Sequence, residues 1–257
     1  MQTLQPLFSG SSGNAVLVES KESALLVDAG VSGRKIITAL SENRKSISSI
    51  SGILVTHEHS DHIQSVGSLS RKFHIPVYAN EKTWEAMLTN VGEVPPSLRR
   101  TISTGRNFSV GDIEACAFSI PHDAADPVGY NFMACGKKVT VATDIGQMSE
   151  KLFLSLSGSA EILLESNYDI VMLQKGPYPV PLKRRISGPF GHLSNRESAL
   201  TCARLASVGT KRIILGHLSC ENNTPRLAYD IAKLYIEECG VLVDRDVSLS
   251  VAPRSCI

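Results

Sequence analysis

Five ionisable residues occur within six consecutive positions of the stretch THEHSDH, at residues 56–62. They are His57, Glu58, His59, Asp61 and His62, and they follow the apolar run GILV directly. Neutral imidazole and carboxylate are ligands that suit zinc, manganese and iron. In a loop, spacings of two, two and one residues can direct these groups toward two adjacent centres. A solvated polar loop is the alternative, but three close imidazoles gain little without a metal, so the stretch predicts a metal site.

Further ligand candidates are needed, because one loop cannot fill two metal sites, and they follow other apolar runs. His122 follows DIEACAFSIP, Asp144 follows KKVTVAT, and His217 follows KRIILG. Each stands where a buried strand is expected to open into a loop. Singly, each could be a capping or hydrogen-bonded residue, but together with THEHSDH they predict one site. Asp28, after ALLV, is either a ligand or an acceptor that orients a ligand imidazole.

Short apolar runs alternate with helical stretches along the chain, which predicts an α/β fold in one layered domain over residues 1–257. A capping box, Ser194-x-x-Glu197, predicts the start of one helix, and Thr224 before Pro225 predicts another. His74 stands at a predicted helix end. The turn GSSGN, at 10–14, is either a tight hairpin or a source of backbone N–H groups for a phosphate.

Composition excludes a strongly basic nucleic-acid-binding protein, because the formal net charge is only +1. No apolar run approaches the roughly 18 residues that would span a membrane, and MQTLQPLFSGSSGN lacks the pattern of a signal peptide. We therefore expect a cytoplasmic protein with no membrane partner. The six cysteines are scattered and form no CxxC pair, so free buried thiols are expected.

The segment GPYPVPLKRRISGPFG, at 176–191, is predicted to be one long irregular loop, and such loops are usually functional or disordered. Its basic run, Lys183, Arg184 and Arg185, could bind a phosphodiester backbone, with a solvated charged loop as an equal alternative. Tyr178 and Phe190 flank this run and could stack on bases or simply pack in the loop.

The chain resembles the metallo-β-lactamase superfamily, because the His-x-His-x-Asp-His set and the later strand-end residues match its motifs in order. Within it, the finer resemblance is to the YycJ (WalJ, VicX) branch of small nuclease-like proteins. The stretches that carry the resemblance are GSSGNA, THEHSDH, PHDAADPVGY, ATDIG, ESNYD, KRRISGPFGHLSN and GHLSCENNTP.

This resemblance implies a four-layer αββα sandwich with a dinuclear site at one edge, and 5′-to-3′ exonuclease action on DNA with manganese or zinc. It implies that His57, His59 and His122 hold one metal ion and that Asp61, His62 and His217 hold the other. Asp144 would bridge the two ions, and a hydroxide shared between them would attack phosphorus. Asp61 is also a candidate catalytic residue.

Two histidines share the letters Gly-His-Leu-Ser, but their surroundings differ. His217 follows the strand-like run RIILG, which suits a metal ligand. His192 lies in a Gly- and Pro-rich segment before the helix that Ser194 begins, a setting that favours anions. We expect His192 to contact the scissile phosphate and to protonate the leaving oxygen or stabilise charge, with a structural loop histidine as the alternative. Ser194, Arg184 and Arg185 are the candidate substrate-binding residues.

Three functions compete on the sequence alone. The first is a metal-dependent phosphodiesterase that acts as an exonuclease on DNA, with small cyclic or dinucleotide substrates as a variant. The second is hydrolysis of a thioester or lactam at the same dinuclear site, because one fold hosts many chemistries. The third is a non-catalytic, metal-stabilised binding module. The sequence leaves the metal, DNA against RNA, strand polarity and oligomeric state open.

Overall fold

The first of two β-sheets has six strands in the described part of the chain. The structure is a computed structural model that describes residues 3–254. The strands follow chain order across the sheet: β1 (Leu4–Phe8), β2 (Ala15–Glu19), β3 (Ala24–Val27), β4 (Ile50–Leu54), β5 (Val77–Asn80) and β6 (Arg99–Ile102). β1 to β3 are antiparallel, and β3 to β6 are parallel.

The second sheet has seven strands among residues 3–254, and they pair in the order β13-β12-β11-β10-β9-β8-β7. They are β7 (Asn107–Val110), β8 (Ile113–Ser119), β9 (Val128–Ala134), β10 (Lys137–Ala142), β11 (Glu161–Glu165), β12 (Arg212–Gly216) and β13 (Ser248–Val251). β7 to β10 are antiparallel, whereas β10 to β13 are parallel.

Nine helices accompany the two sheets among the described residues, and the longer ones cover the outer faces. The first group is α1 (Gly33–Glu42), α2 (Ser60–Ile63), α3 (Val66–Phe73) and α4 (Glu81–Val91). The second group is α5 (Glu150–Leu156), α6 (Ile170–Lys175), α7 (Val180–Ile186), α8 (Asn195–Ser207) and α9 (Pro225–Glu238). Ile36, Leu69 and Trp84 of the first group pack against the first sheet. Leu152, Leu205 and Ile236 of the second group pack against the second sheet.

Strands β2, β3 and β11 contain nearly continuous apolar runs because both of their faces are buried. In β2, Ala15 and Leu17 join the core under the helices, whereas Val16 and Val18 join the core between the two sheets. This division follows the two-residue period of a strand. The predicted αββα sandwich is therefore confirmed, with one core between the sheets and one under each helical layer. The expectation of a single domain over 1–257 stays a prediction.

The sequence predicted one long irregular loop at 176–191. This prediction is wrong, because α7 occupies Val180–Ile186. Its prolines misled the prediction. Pro179 is the N-cap and Pro181 lies in the first turn, where the missing N–H of proline leaves no intrahelical hydrogen bond unmade. Lys183, Arg184 and Arg185 thus lie in the last turn of a helix.

The predicted helix starts are confirmed by their caps. Ser194 and Glu197 form a reciprocal capping box at α8, and the Thr224 hydroxyl accepts a hydrogen bond from the Leu227 N–H at α9. His74 is the C-cap of α3, in the left-handed conformation with φ 56°. The GSSGN stretch connects β1 to β2 as a hairpin turn, in which the Gly13 N–H donates to the Gly10 carbonyl.

The expectation for the cysteines is only partly right. Cys116, Cys135, Cys202 and Cys239 are free, but Cys135 and Cys239 are exposed, because one lies in a turn and the other caps a helix. Cys220 is disulfide-bonded, which contradicts the expectation of a free thiol there. Cys256 lies outside the described residues. Among the helices of residues 3–254, none is long and apolar enough to cross a membrane.

The Thr224 cap gives a stability prediction. Thr224→Ala should lower the free energy of unfolding by about 1 kcal/mol, because the Leu227 N–H loses its acceptor at an exposed helix start. Urea unfolding followed by circular dichroism measures this change. Thr224→Ser keeps the hydroxyl and should unfold close to the wild-type midpoint; equal losses in both variants would contradict the cap as the cause.

Candidate metal centre

The candidate ligands lie at one edge of the sandwich because parallel strands deliver their carboxyl ends to the same side. Asp28 follows β3, Asp144 follows β10 and His217 follows β12. These three residues have positive φ angles of 62°, 62° and 55°. Left-handed backbone costs a non-glycine residue about 1–3 kcal/mol and persists where the surroundings enforce it. The chain is therefore held in sharp turns where each strand opens into the site.

The structure brings all seven predicted ligands together. The ligand atoms of His57, His59 and His122 lie within 4.8 Å of one another, and so do those of Asp61, His62 and His217. Asp144 forms a further group of this kind with His57 and His62. The two histidine groups are therefore adjacent, with the Asp144 carboxylate between them.

Three imidazoles are oriented by hydrogen bonds from their Nδ1 atoms to carboxylate or carbonyl oxygens. His62 Nδ1 donates to Asp28 Oδ2 at 2.8 Å, His122 Nδ1 to the Gly191 carbonyl at 3.0 Å, and His217 Nδ1 to Glu165 Oε1 at 2.8 Å. Because these acceptors have no proton to give, Nδ1 carries a hydrogen, and in the neutral imidazole that binds a metal Nε2 provides the lone pair. This is the arrangement of metal-binding histidines in proteins.

Buried polar atoms without partners mark the middle of the site. His57 Nε2, His217 Nε2 and Asp144 Oδ2 are buried and have no hydrogen-bond partner among the residues the structure describes. A buried polar atom left unpaired costs about 1–3 kcal/mol. Two imidazole lone pairs and one carboxylate oxygen that converge in this way fit a divalent cation, so the donor set and its surroundings agree with metal binding.

The charges of the site favour an ionised carboxylate at its centre. Burial alone would raise the pKa of Asp144, but His217, His62, His57 and His122 surround it and hold that pKa well below its usual value. Burial likewise opposes the charged form of His217, yet Asp144, Asp61 and Glu165 raise its pKa to about 10. The site therefore holds fixed negative charge. A bound cation can supply the positive charge that protonated imidazoles supply in its absence.

Glu165, the last residue of β11, is the functional residue that sequence reasoning missed. Its Oε1 atom accepts from Nδ1 of both His192 and His217, each at 2.8 Å. Its Oε2 atom accepts from the Ile145 N–H at 2.7 Å and the Leu193 N–H at 3.0 Å. Burial alone would raise the pKa of Glu165, but the two histidines lower it to about 2.

Asp144, Glu165, His192 and His217 are also close enough to hold an ion, but hydrogen bonding explains this group better. Both oxygens of Glu165 are already engaged, and the Nδ1 atoms of both histidines point to it. His217 keeps Nε2 for a metal, 3.5 Å from Asp144 Oδ1. His192 lines the cleft with a side chain that is 18% exposed, so its Nε2 can meet a substrate.

The GSSGN turn contacts α2, the short helix that contains the candidate ligands Asp61 and His62. Asn14 N–H donates to the Asp61 carbonyl at 2.8 Å, and Asn14 Nδ2 lies 3.1 Å from His62 Nε2. Gly30 passes so close that a Cβ there would lie 1.6 Å from the Asp61 carbonyl oxygen. Thr56, the first residue of the THEHSDH stretch, links that stretch to Asp28. Its N–H and its hydroxyl both donate to the Asp28 carboxylate at 2.8 Å.

A cleft lies over the ligands, and α7 forms its second wall. Tyr178, Leu182, Arg185 and Ile186 face the ligands across it, and Asn167 also lines it. Ser11 and Ser219 complete the lining.

The three candidate substrate-binding residues have different positions. Arg185 lines the cleft, but its guanidinium pairs with Asp123 through bonds of 2.5 and 3.2 Å. Arg184 is exposed and does not line the cleft. Ser194 is 2% exposed, and its hydroxyl is used by the capping box with Glu197. Only Arg185 of these three is brought to the cleft, and Tyr178 is brought there while Phe190 is not.

A signal for Glu165 was present in the sequence. It ends the apolar run ILLE, in the same way that Asp144 follows KKVTVAT, and a carboxylate at the carboxyl end of a buried strand is placed at the site edge. Asn14 and Thr56 had no comparable signal, because their partners are distant in sequence or provided by backbone atoms.

Comparison with known proteins agrees with this geometry. Residues 24–218 match the family described as "Beta-lactamase superfamily domain". The chain is 43% identical to an exodeoxyribonuclease YycJ of Bacillus anthracis over 234 residues, covering 91% of this chain and 89% of the relative. It is 41% identical to an exodeoxyribonuclease WalJ of Streptococcus pneumoniae over 242 residues, covering 93% and 90%.

The fold is also shared with more distant structures. Zinc-bound PqqB from Methylobacterium extorquens superposes with a TM-score of 0.75 at 18% identity, covering 98% of each chain. At this identity the likeness concerns the fold. The family match and the two relatives go further, and they exclude a non-catalytic binding module: the chain is a hydrolase that belongs to the β-lactamase superfamily, in the branch that contains YycJ and WalJ.

Proposed function

We propose that the protein is a metal-dependent phosphodiesterase that acts as a 5′-to-3′ exonuclease on DNA, with two divalent ions, manganese or zinc. The observation that carries this proposal is that His192 lines the same cleft as five of the seven candidate ligands, His59, Asp61, His122, Asp144 and His217, with His57 and His62 grouped with them. It is supported by 43% identity over nearly the whole chain to a protein named as an exodeoxyribonuclease. The expected cytoplasmic location stays a prediction.

The ligands divide into two groups under this proposal. His57, His59 and His122 would hold one ion and Asp61, His62 and His217 would hold the other, with Asp144 grouped with members of both sets. When bound, the ions lower the pKa of water toward about 7 and neutralise charge on the phosphate. The protein itself fixes the orientation of three ligand imidazoles, because Asp28, Gly191 and Glu165 accept hydrogen bonds from them.

His192 acts on the substrate in this scheme. Its Nδ1–H is held by the Glu165 carboxylate, so Nε2 is the atom directed to the reacting phosphate. A protonated Nε2 donates a hydrogen bond to the phosphate and gives its proton to the leaving oxygen. The hydrogen bond to Glu165 keeps the ring in one orientation while the proton is transferred.

The competing hydrolysis of a thioester or lactam uses the same ligands, and so does hydrolysis of a small cyclic or dinucleotide phosphodiester. One set of assays separates them. Purified protein is loaded with zinc or manganese and given 5′-phosphorylated and 5′-hydroxyl DNA and RNA, single- and double-stranded, in parallel with a thioester and a simple phosphodiester. We expect stepwise release of nucleotides from the 5′ end of DNA; turnover of the thioester alone would refute the proposal.

The two histidines of the Gly-His-Leu-Ser quartets should behave differently when replaced. His217→Ala should lose one metal ion and activity together. His192→Ala should keep both ions and lose about 10²–10⁴-fold in kcat, the range for removal of a general acid. Metal content by plasma emission spectrometry and single-turnover rates measure these changes. His74→Ala, an exposed histidine at the end of α3, is the control; metal loss in His192→Ala would place that residue among the ligands.

Replacement of Glu165 should affect both histidines at once. Glu165→Gln should weaken metal affinity or lower kcat by about 10–100-fold, the range for residues that orient metal ligands. Chelator competition gives the affinity, and kcat at saturating metal shows the separate effect on His192. Glu161→Gln removes a second carboxylate of β11, which pairs with Arg212 at 2.9 Å; if it matched Glu165→Gln in both measurements, general destabilisation would explain the result.

A further inference from the structure

The apolar face of α7 is directed toward the metal ligands rather than into a core. No residue of this seven-residue helix is buried. Leu182 and Ile186 are four positions apart, so they share one side of the helix. Both line the cleft with Tyr178, opposite the histidines and carboxylates. The helix thus presents two aliphatic side chains, and the residue two positions before it presents an aromatic ring, to a space that is also lined by polar side chains.

This wall is fixed in place by contacts of its last two residues, Arg185 and Ile186. Arg185 pairs with Asp123, the residue after His122. The His192 N–H donates to the Ile186 carbonyl at 2.9 Å. Close packing adds to these bonds, since a Cβ on Gly191 would lie 2.2 Å from the carbonyl oxygens of Arg185 and Ile186. A wall that is rigid before binding costs little ordering entropy when a ligand arrives.

The two walls together define the chemistry of the ligand. Under the proposed function the side with the metal ligands binds a phosphate, and Tyr178, Leu182 and Ile186 offer aromatic and apolar surface within the same cleft. Ligand pockets of this kind combine a few polar groups with apolar lining. A nucleotide has both parts: a phosphate on the polar side and, one sugar away, a base whose flat face stacks on aromatic rings. The Arg185–Asp123 pair joins α7 to the residue after His122, and Arg185 lines the cleft, so we expect this side to oppose the passage of a continuous strand.

We propose that Tyr178 stacks on the base of the terminal nucleotide, with Leu182 and Ile186 against its sugar, so that α7 restricts the cleft to a chain end. This inference rests on the proposed nuclease function and adds its terminal-nucleotide site. It explains end-directed hydrolysis by a helix that closes one side of the cleft. It assigns no sequence preference, because every base offers a face for stacking.

The test compares metal-loaded wild type, Tyr178→Ala and Tyr178→Phe on two linear DNA oligonucleotides. One is natural, and the other carries tetrahydrofuran abasic residues at both terminal positions. Wild type and Tyr178→Phe should prefer the natural terminus by roughly 5- to 150-fold in kcat/KM, the range for one stacked base. Tyr178→Ala should lose this preference while its metal content stays unchanged. Covalently closed circular DNA should resist the wild-type enzyme.

Phe190→Ala is the matched control, because Phe190 is an aromatic residue close in sequence, 60% exposed, that does not line the cleft. It should keep the preference. If Phe190→Ala lost the preference, the base would lie at the rim and not on Tyr178. Equal losses on both oligonucleotides in Tyr178→Ala, or a wild type that degrades DNA without any preference, would overturn the inference alone. A wild type that degrades no DNA but hydrolyses the thioester would overturn the proposed function and this inference with it.

Discussion

One carboxylate oxygen, Glu165 Oε1, accepts hydrogen bonds from two imidazoles, and the arrangement of the site depends on it. His217 Nε2 can face a metal only because its Nδ1–H is held by Glu165. His192 faces the cleft for the same reason. The shared carboxylate must stay ionised in a fully buried position, and the backbone N–H groups of Ile145 and Leu193 stabilise its other oxygen. The one Glu165 carboxylate thereby orients both the candidate metal ligand His217 and the candidate acid His192. Their positions therefore cannot vary independently.

The sandwich makes this concentration of buried charge possible. Parallel strands β10, β11 and β12 end side by side, and their apolar residues pack into two cores that fix the strand ends. The left-handed turns at Asp144 and His217, and the unpaired atoms on the same residues, are unfavourable by themselves. A cation bound to those atoms would compensate for this cost only in the folded chain, which would link metal binding to folding stability.

The sequence predicted the layered fold and the set of converging residues because both follow from local patterns. Each candidate ligand stands in or after an apolar run, and the run predicts the strand that positions it. The rest depended on distant partners. Arg185 was expected to be available to phosphate, but it pairs with Asp123, a residue 62 positions away. Ser194 was expected at the substrate, although the capping box that predicted its helix already uses its hydroxyl. The prolines around Val180–Ile186 prevented the prediction of α7. Proline fits a helix only at its N-cap or in its first turn, and the sequence alone did not show that these prolines stand there.

Identical letters around His192 and His217 received different environments from the fold. His217 lies at the end of β12, where a turn with φ 55° directs it to the ligand side. His192 follows α7, and its N–H bonds to the last residue of that helix, Ile186. The α7 segment therefore carries both the apolar wall and the backbone that places His192. Since the metal ligands by themselves suit several kinds of hydrolysis, we propose that this segment selects the substrate, because one backbone hydrogen bond joins the wall proposed for the nucleoside to the histidine proposed for the phosphate.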